Sequence, residues 1–226
     1  MQAYPEHVTM TAEPPKSPAA EAVRSLEVRW IFPGQLEAAA ARWFARFPAT
    51  AESREDTYLL DPQLPGLSVK IRGGGALEVK AYRGSPGILE VTGRARGRME
   101  TWHKWSFPFS PLSPGAGDPP GWRPVRKRRR ISRFSLASGQ IAARGARPGG
   151  EPGCEVELTE IRTGDQDWWT LGFEATGPAG LLRSALAAAA ALVFAQALPG
   201  GVEPGPEDSR SYAQWLGRPP STESGR

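Results

Sequence analysis

The stretch LSVKIRGGGALEVKAY, residues 67–82, decides how the rest of the chain reads. It consists of two runs joined at Gly73-Gly74-Gly75, and both alternate strictly. Successive side chains in a strand point to opposite faces. Leu67, Val69, Ile71, Leu77, Val79 and Ala81 therefore share one face of a hairpin, and Ser68, Lys70, Arg72, Glu78, Lys80 and Tyr82 share the other. A charged face on a short strand can simply meet water. Here the same charged alternation returns along the whole chain.

Upstream, residues 26–32 form a strand with Leu26, Val28 and Trp30 opposite Ser25, Glu27 and Arg29, ended by Pro33-Gly34. Residues 35–47 place Leu36, Ala40, Trp43, Phe44 and Phe47 near helical spacing. Residues 54–60 are a second strand, stopped by Asp61-Pro62. Downstream, 88–92 and 99–107 carry strand patterns around the basic, Gly-broken GRARGR, with Glu100, Trp102 and Lys104 on one face. The Pro- and Gly-rich segment 108–124 reads as a long loop. Residues 125–136 are a basic strand, and 144–153 a second Gly/Pro loop. Residues 154–161 put Glu155, Glu157 and Thr159 together, and 168–176 alternate Trp169, Leu171, Phe173 and Ala175 against Trp168, Thr170, Gly172, Glu174 and Thr176. An Ala-rich helix (181–198), a linker (199–208) and a short helix (209–216) capped by Ser209 complete the order. About eight strands in hairpin-like succession, with few helices, predict an α+β fold: an eight-stranded antiparallel β-barrel or tunnel with flanking helices.

Composition narrows the class. The 226 residues suit one domain, placed at 22–217, with disordered tails at 1–21 and 218–226. A formal charge of +4 permits an anionic partner but lacks the concentrated basic surface that makes nucleic acid a partner. The single Cys154 excludes an intrachain disulfide and a multi-cysteine zinc site, and with no signal-peptide pattern it predicts a cytoplasmic protein. The apolar run 181–198 is mostly Ala and is interrupted by Arg183 and Gln196, so it reads as a buried helix, not a membrane span. His7 and His103 are the only histidines and form no catalytic pair.

One residue in two along each strand gives a consistent charged set. Its cations are Arg29, Lys70, Arg72, Lys80, Lys104, Lys127 and Arg129, and its anions Glu27, Glu78, Glu100, Glu155, Glu157 and Glu174. In the basic strand, Arg126, Arg128 and Arg130 serve equally if the register shifts by one. The set is either a solvated, ion-paired sheet surface or the charged lumen of an eight-stranded barrel that holds one small ligand. In the second case the cations suit phosphate oxygens, and carboxylates on facing strands suit Mg²⁺ or Mn²⁺.

In this order, SLEVRW, REDTYLLD, LSVKIR, LEVK, VRKRRR, CEVELTEI, WWTLGFEATG and SYAQWL resemble the CYTH or triphosphate tunnel metalloenzyme superfamily across residues 22–217. The resemblance implies an eight-stranded tunnel that binds triphosphate-type ligands, with metal-dependent triphosphatases, adenylate cyclases and RNA triphosphatases among its enzymes. Lys70, Arg72, Lys80, Lys127 and Arg129 match the phosphate-binding positions; the acidic residue usual on the seventh strand falls near Thr159, beside Glu160, and a Mg²⁺ or Mn²⁺ is expected on Glu27, Glu157 and Glu174. The opening E-x-E-x-K falls on Ser25, Glu27 and Arg29, and the closing E-x-E keeps only Glu174, with Gly172 or Thr176 in place of its partner. The expected function is binding of a triphosphate or other phosphorylated small molecule, with metal-dependent phosphohydrolysis as its catalytic form. The alternative is an ion-paired module with no phosphate substrate.

Overall fold

A computed structural model describes residues 22–108, 121–137, 140–144 and 151–217. The expected tails, and most of the two expected loops, lie outside the described residues. Nine strands form one antiparallel sheet: β1 (Val23–Pro33), β2 (Thr50–Leu59), β3 (Leu67–Arg72), β4 (Ala76–Val91), β5 (Ala95–Pro108), β6 (Trp122–Ala137), β7 (Gln140–Arg144), β8 (Gly153–Thr163) and β9 (Gln166–Thr176). Their order is β2-β3-β4-β5-β1-β9-β8-β6-β7, and β2 also pairs with β6 from Thr50↔Ile131 to Leu59↔Trp122. Eight strands therefore close into a barrel. The ninth, β7, which the sequence does not announce, extends the far part of β6 as a hairpin.

The hairpin of residues 67–82 forms as expected, with Leu67↔Ala81, Val69↔Val79 and Lys70↔Glu78 opposite one another. Gly73 and Gly74 make its turn with φ of 54° and 73°, a left-handed conformation open to glycine at little cost. The first run ends there, but the second continues further than periodicity suggests. The expected strand 88–92 is the far half of the 16-residue β4, kept in one ladder by register shifts around Gly84 and Gly87. A bulge resets the pleat, so a strict period of two breaks there without the strand ending.

The charged faces turn inward, so the apolar faces look out and need cover. On one side they have it. Leu26, Val28 and Trp30 of β1, Leu171 and Phe173 of β9 and Val156 and Leu158 of β8 pack beneath two helices, α1 (Ala38–Phe44) and α2 (Leu182–Val193). The α2 stripe Leu182, Ala185, Leu186, Ala189, Ala190 and Val193 follows helical spacing, and its alanines let the helix lie close to the sheet. Trp30, fully buried, donates from Nε1 to the Arg96 carbonyl at 2.8 Å and meets Phe173 and Phe194 edge-on. Across the barrel, outward Leu67 and Phe107 remain 36% and 40% exposed. Both helices are shorter than their apolar patterns, and among the described residues no helix is long and apolar enough to cross a membrane.

The terminal helix α3 (Tyr212–Leu216) serves a different purpose. With Trp168 and Leu60, its Tyr212, Trp215 and Leu216 join Ile31, Tyr58, Val125 and Ile161 in a second apolar cluster on the inward faces of the strands. The barrel is thus stoppered at one end. The expected cap Ser209 is two residues off: Ser211 caps α3 in a reciprocal box with Gln214. Ser209 instead bridges to Trp30 and accepts the Arg98 backbone N–H at 2.8 Å, which fastens the approach to α3 onto the wall.

Gly97 lies directly beneath Trp30, where an added Cβ would come within 2.6 Å of the Trp30 ring and of Val28. Gly97→Ala is expected to lower stability by about 1–3 kcal/mol in urea unfolding, through overpacking. Gly66→Ala, whose methyl meets open space, leaves the midpoint unchanged.

Candidate functional site

The inward faces of the barrel enclose a cavity of about 130 Å³, lined by ten cationic and six carboxylate side chains. The expected Arg29, Lys70, Arg72, Lys80, Lys104, Lys127 and Arg129 all reach it, as do Glu27, Glu157 and Glu174. The register of β6 is settled: Lys127 and Arg129 face in. Arg126 and Arg128 face out, with side chains 75% and 74% exposed, and pair with Glu55 and Glu160. An eight-stranded antiparallel wall around a charged lumen is what the resemblance implied. The fold is a closed eight-stranded antiparallel tunnel, CYTH-like in its strand architecture.

The tunnel's charges are arranged in tiers. At the stoppered end Asp56, fully buried, accepts a hydrogen bond from Lys127 Nζ at 2.8 Å and forms ion pairs with Arg54 Nε at 3.0 Å and Lys70 Nζ at 3.5 Å. Burial would raise its pKa, but Lys127, Lys70 and Arg54 hold it well below the carboxylate range. Lys127 also donates to the Tyr58 hydroxyl at 2.7 Å and lies 4.0 Å from the Tyr212 ring centroid. Its ammonium is enclosed on every side by these partners, and burial lowers its pKa. Lys127 therefore fastens α3 to the wall and is remote from the open end.

In the middle tier Glu157 lies between Arg29, at 2.5 Å, and Arg129. Arg129 also reaches Glu52 at 2.7 Å, and Arg29 stacks on Tyr212 with its Cζ 4.6 Å from the ring centroid. Burial opposes ionisation of Glu157, but Arg29 and Arg129 hold its carboxyl well below its ordinary pKa. Beside this, Glu78 receives Lys70 at 2.8 Å and Arg72 at 3.0 Å, and these two lower its pKa to about 2 against the effect of burial.

Register places four glutamates in one row across the wall: Glu100↔Glu27, Glu27↔Glu174 and Glu174↔Glu155. Lys80 Nζ bridges two of them, 2.7 Å from Glu27 and 3.7 Å from Glu174, and Lys104 Nζ lies 3.4 Å from Glu174. Glu100, itself buried, accepts the Trp102 indole N–H at 3.2 Å. Burial and the neighbouring Glu27 raise its pKa.

The expected metal ligands can be judged on this geometry. Glu27, Glu157 and Glu174 face one lumen, but Lys80, Lys104, Arg29 and Arg129 already engage their oxygens. Among the described residues, no group of three or more His, Cys, Asp or Glu is disposed to hold a metal ion. The residues present do not fit Mg²⁺ or Mn²⁺ as arranged.

Sequence reading passed over Arg54, Asp56, Tyr58 and Tyr212. The first three alternate along REDTYLL, so a period of two would have aligned them with the lumen. Tyr212 had no comparable signal, because nothing local shows that a terminal helix turns into a barrel.

No family model matches the chain, and neither does any curated protein. Among solved structures it is similar to a conserved hypothetical protein from Pyrococcus furiosus, with 16% identity over 83% of this chain and 98% of that one and a TM-score of 0.41. It is also similar to the Mimivirus capping enzyme triphosphatase (8% identity, 76% and 89% covered, TM-score 0.39) and to S. pombe Pct1 RNA triphosphatase (10%, 79% and 83%, 0.39).

Two outcomes follow for stability. Glu78 and Glu174, each held near pKa 2 in the fold against about 4.3 unfolded, contribute stability that is present above the unfolded value and lost as pH falls toward 2. Thermal melts are expected to hold steady from neutral pH to about 5 and to fall steeply below about 4.5, where the unfolded chain takes up the protons. Asp56→Ala would leave buried cations facing one another and is expected to cost about 3–5 kcal/mol in urea unfolding.

Proposed function

We propose that the tunnel binds a phosphorylated or otherwise polyanionic small molecule, a triphosphate-type ligand being the best fit, through the end opposite α3. The observation that carries this reading is a graded ladder of cations. Side-chain exposure rises from 3% at Lys127 through 13% at Arg29 and Lys70 and 17% at Lys80 to 25% at Lys104 and 41% at Arg72. An anion entering past Arg72 and Lys104 meets increasingly desolvated charge, where each contact is stronger than in bulk water. Arg72 offers a planar fork to phosphate oxygens, and Lys80 and Lys104 act as point charges.

The cations outnumber the carboxylates in the lining, so the lumen carries a positive surplus that a polyanion would neutralise. Glu78, Glu157 and Glu174 each engage two cations, which keeps those lysines and arginines from splaying out to solvent. The site is read as a binding site and no hydrolytic step is assigned, since the expected metal ligands are engaged by cations. A second reading, an ion-paired barrel with no phosphate ligand, is favoured by one observation: Glu27, Glu78, Glu157 and Glu174 already have partners at 3.4 Å or less.

Calorimetric titration with tripolyphosphate separates the two readings. Wild-type protein is expected to bind it at low ionic strength and more weakly as salt rises, and Arg72→Ala to weaken binding about tenfold, roughly 1.4 kcal/mol. Absence of heat for wild type would leave the ion-paired barrel. Phosphate release assayed with Mg²⁺ and with Mn²⁺ is expected to show no turnover, and sustained release with either would make the protein a hydrolase.

A further inference from the structure

The inward face of β9 carries no side chain at Gly172, between Thr170 and Glu174. A Cβ built there would lie 2.7 Å from Cζ, Nη1 and Nη2 of Arg29. The guanidinium therefore rests flat on bare backbone, in a cradle that any other residue would fill. Register places Arg29 opposite Gly172 on one side, and Glu157 opposite it on the other. Arg29 donates to Thr170 Oγ1 at 3.1 Å, pairs with Glu157 at 2.5 Å and stacks on Tyr212. Burial works against its charge, but Glu157, Tyr212 and Glu27 raise its pKa above the ordinary value.

This seat lies within the acidic wall. Glu27 is two residues along the Arg29 strand, Glu174 two residues along from Gly172, and Lys80 spans the pair. A divalent ion drawn to Glu27, Glu157 and Glu174 would have to enter beside a guanidinium and an ammonium. It would meet their repulsion in a poorly solvated space. Arg29 cannot relieve that repulsion by losing its proton.

We infer that Arg29, seated over Gly172, is the tunnel's built-in cation, and that the site takes an oligophosphate in its metal-free form, not as a Mg²⁺ or Mn²⁺ complex. The inference rests on the proposed anion binding for its ligand but not for its claim about metal. A metal-complexed oligophosphate arrives with part of its charge already neutralised and some oxygens committed, so it offers less to the cationic ladder. Divalent ions in solution thus compete with the protein for the ligand.

Mn²⁺ alone, titrated into wild-type protein and followed by its electron paramagnetic resonance signal, is expected to stay free. One equivalent bound in wild type and lost in Glu157→Gln would overturn the inference, whether or not any phosphate binds. Tripolyphosphate titrated in the presence of chelator and again with excess Mg²⁺ is expected to bind at least tenfold more weakly with Mg²⁺, while equal or tighter binding with Mg²⁺ overturns the inference. Gly172→Ala, whose methyl intrudes on the guanidinium, is expected to lose about tenfold in tripolyphosphate affinity with an unchanged near-ultraviolet circular dichroism spectrum. Undiminished affinity in that folded variant also overturns it. If tripolyphosphate binds under neither condition, the anion-binding reading falls and the Mn²⁺ titration alone decides the inference.

Discussion

The structure depends on keeping charge paired inside a barrel. A carboxylate or ammonium taken out of water is costly unless opposite charge and hydrogen bonds replace the lost solvation. Asp56 shows how the tunnel meets that demand: one fully buried carboxylate is surrounded by Lys127, Arg54 and Lys70 on three strands. Those three strands, β2, β3 and β6, meet where the barrel closes. The pairing therefore joins the two ends of the sheet as well as neutralising the lumen.

Turning the ionic faces inward has a consequence for the rest of the fold. A small barrel ordinarily fills itself with apolar side chains, but here those side chains point outward and must be covered from outside. The helices supply that cover over β1, β8 and β9, which explains why the largest apolar cluster lies between barrel and helices and not within the barrel. The inward apolar residues Ile31, Tyr58, Val125 and Ile161 gather at one end, where they receive Tyr212, Trp215 and Leu216. A lumen polar along most of its length and apolar at one end is a dead-end pocket. That shape gives the cations their order from Arg72 at the mouth to Lys127 at the base.

Two positions in the acidic wall, Gly172 and Arg29, fit one another. Gly172 removes a side chain, and Arg29 fills the space with a permanent charge bonded to Glu157. The two residues are complementary: a bulkier residue at 172 would exclude the guanidinium, and a smaller cation at 29 would leave the space unfilled. Cation pairing then takes up the carboxylates nearest the seat, which favours holding an anion over activating water.

Much of this was legible in the sequence, and the reason is local. Alternation at period two is enforced by the pleat within each strand, so LSVKIR and LEVK showed which residues share a face. The inward set Lys70, Arg72, Glu78 and Lys80 followed without any tertiary information. Antiparallel succession from β2 to β5 and from β8 to β9 followed from turns between consecutive runs, whereas the β1–β5, β1–β9, β6–β8 and β2–β6 pairings had no local signal. Local pattern could not decide which face looks inward, since an isolated strand with one ionic side suits a solvated sheet as well as a lumen. Closure through β2 and β6 made that choice, and the same ladder settled Lys127 over Arg126. The placement of α3 in the barrel's end, the seating of Arg29 on Gly172 and the engagement of every expected metal ligand by a cation are contacts between residues far apart in the chain. Their energies depend on desolvation and distance in three dimensions, and only the folded chain defines those.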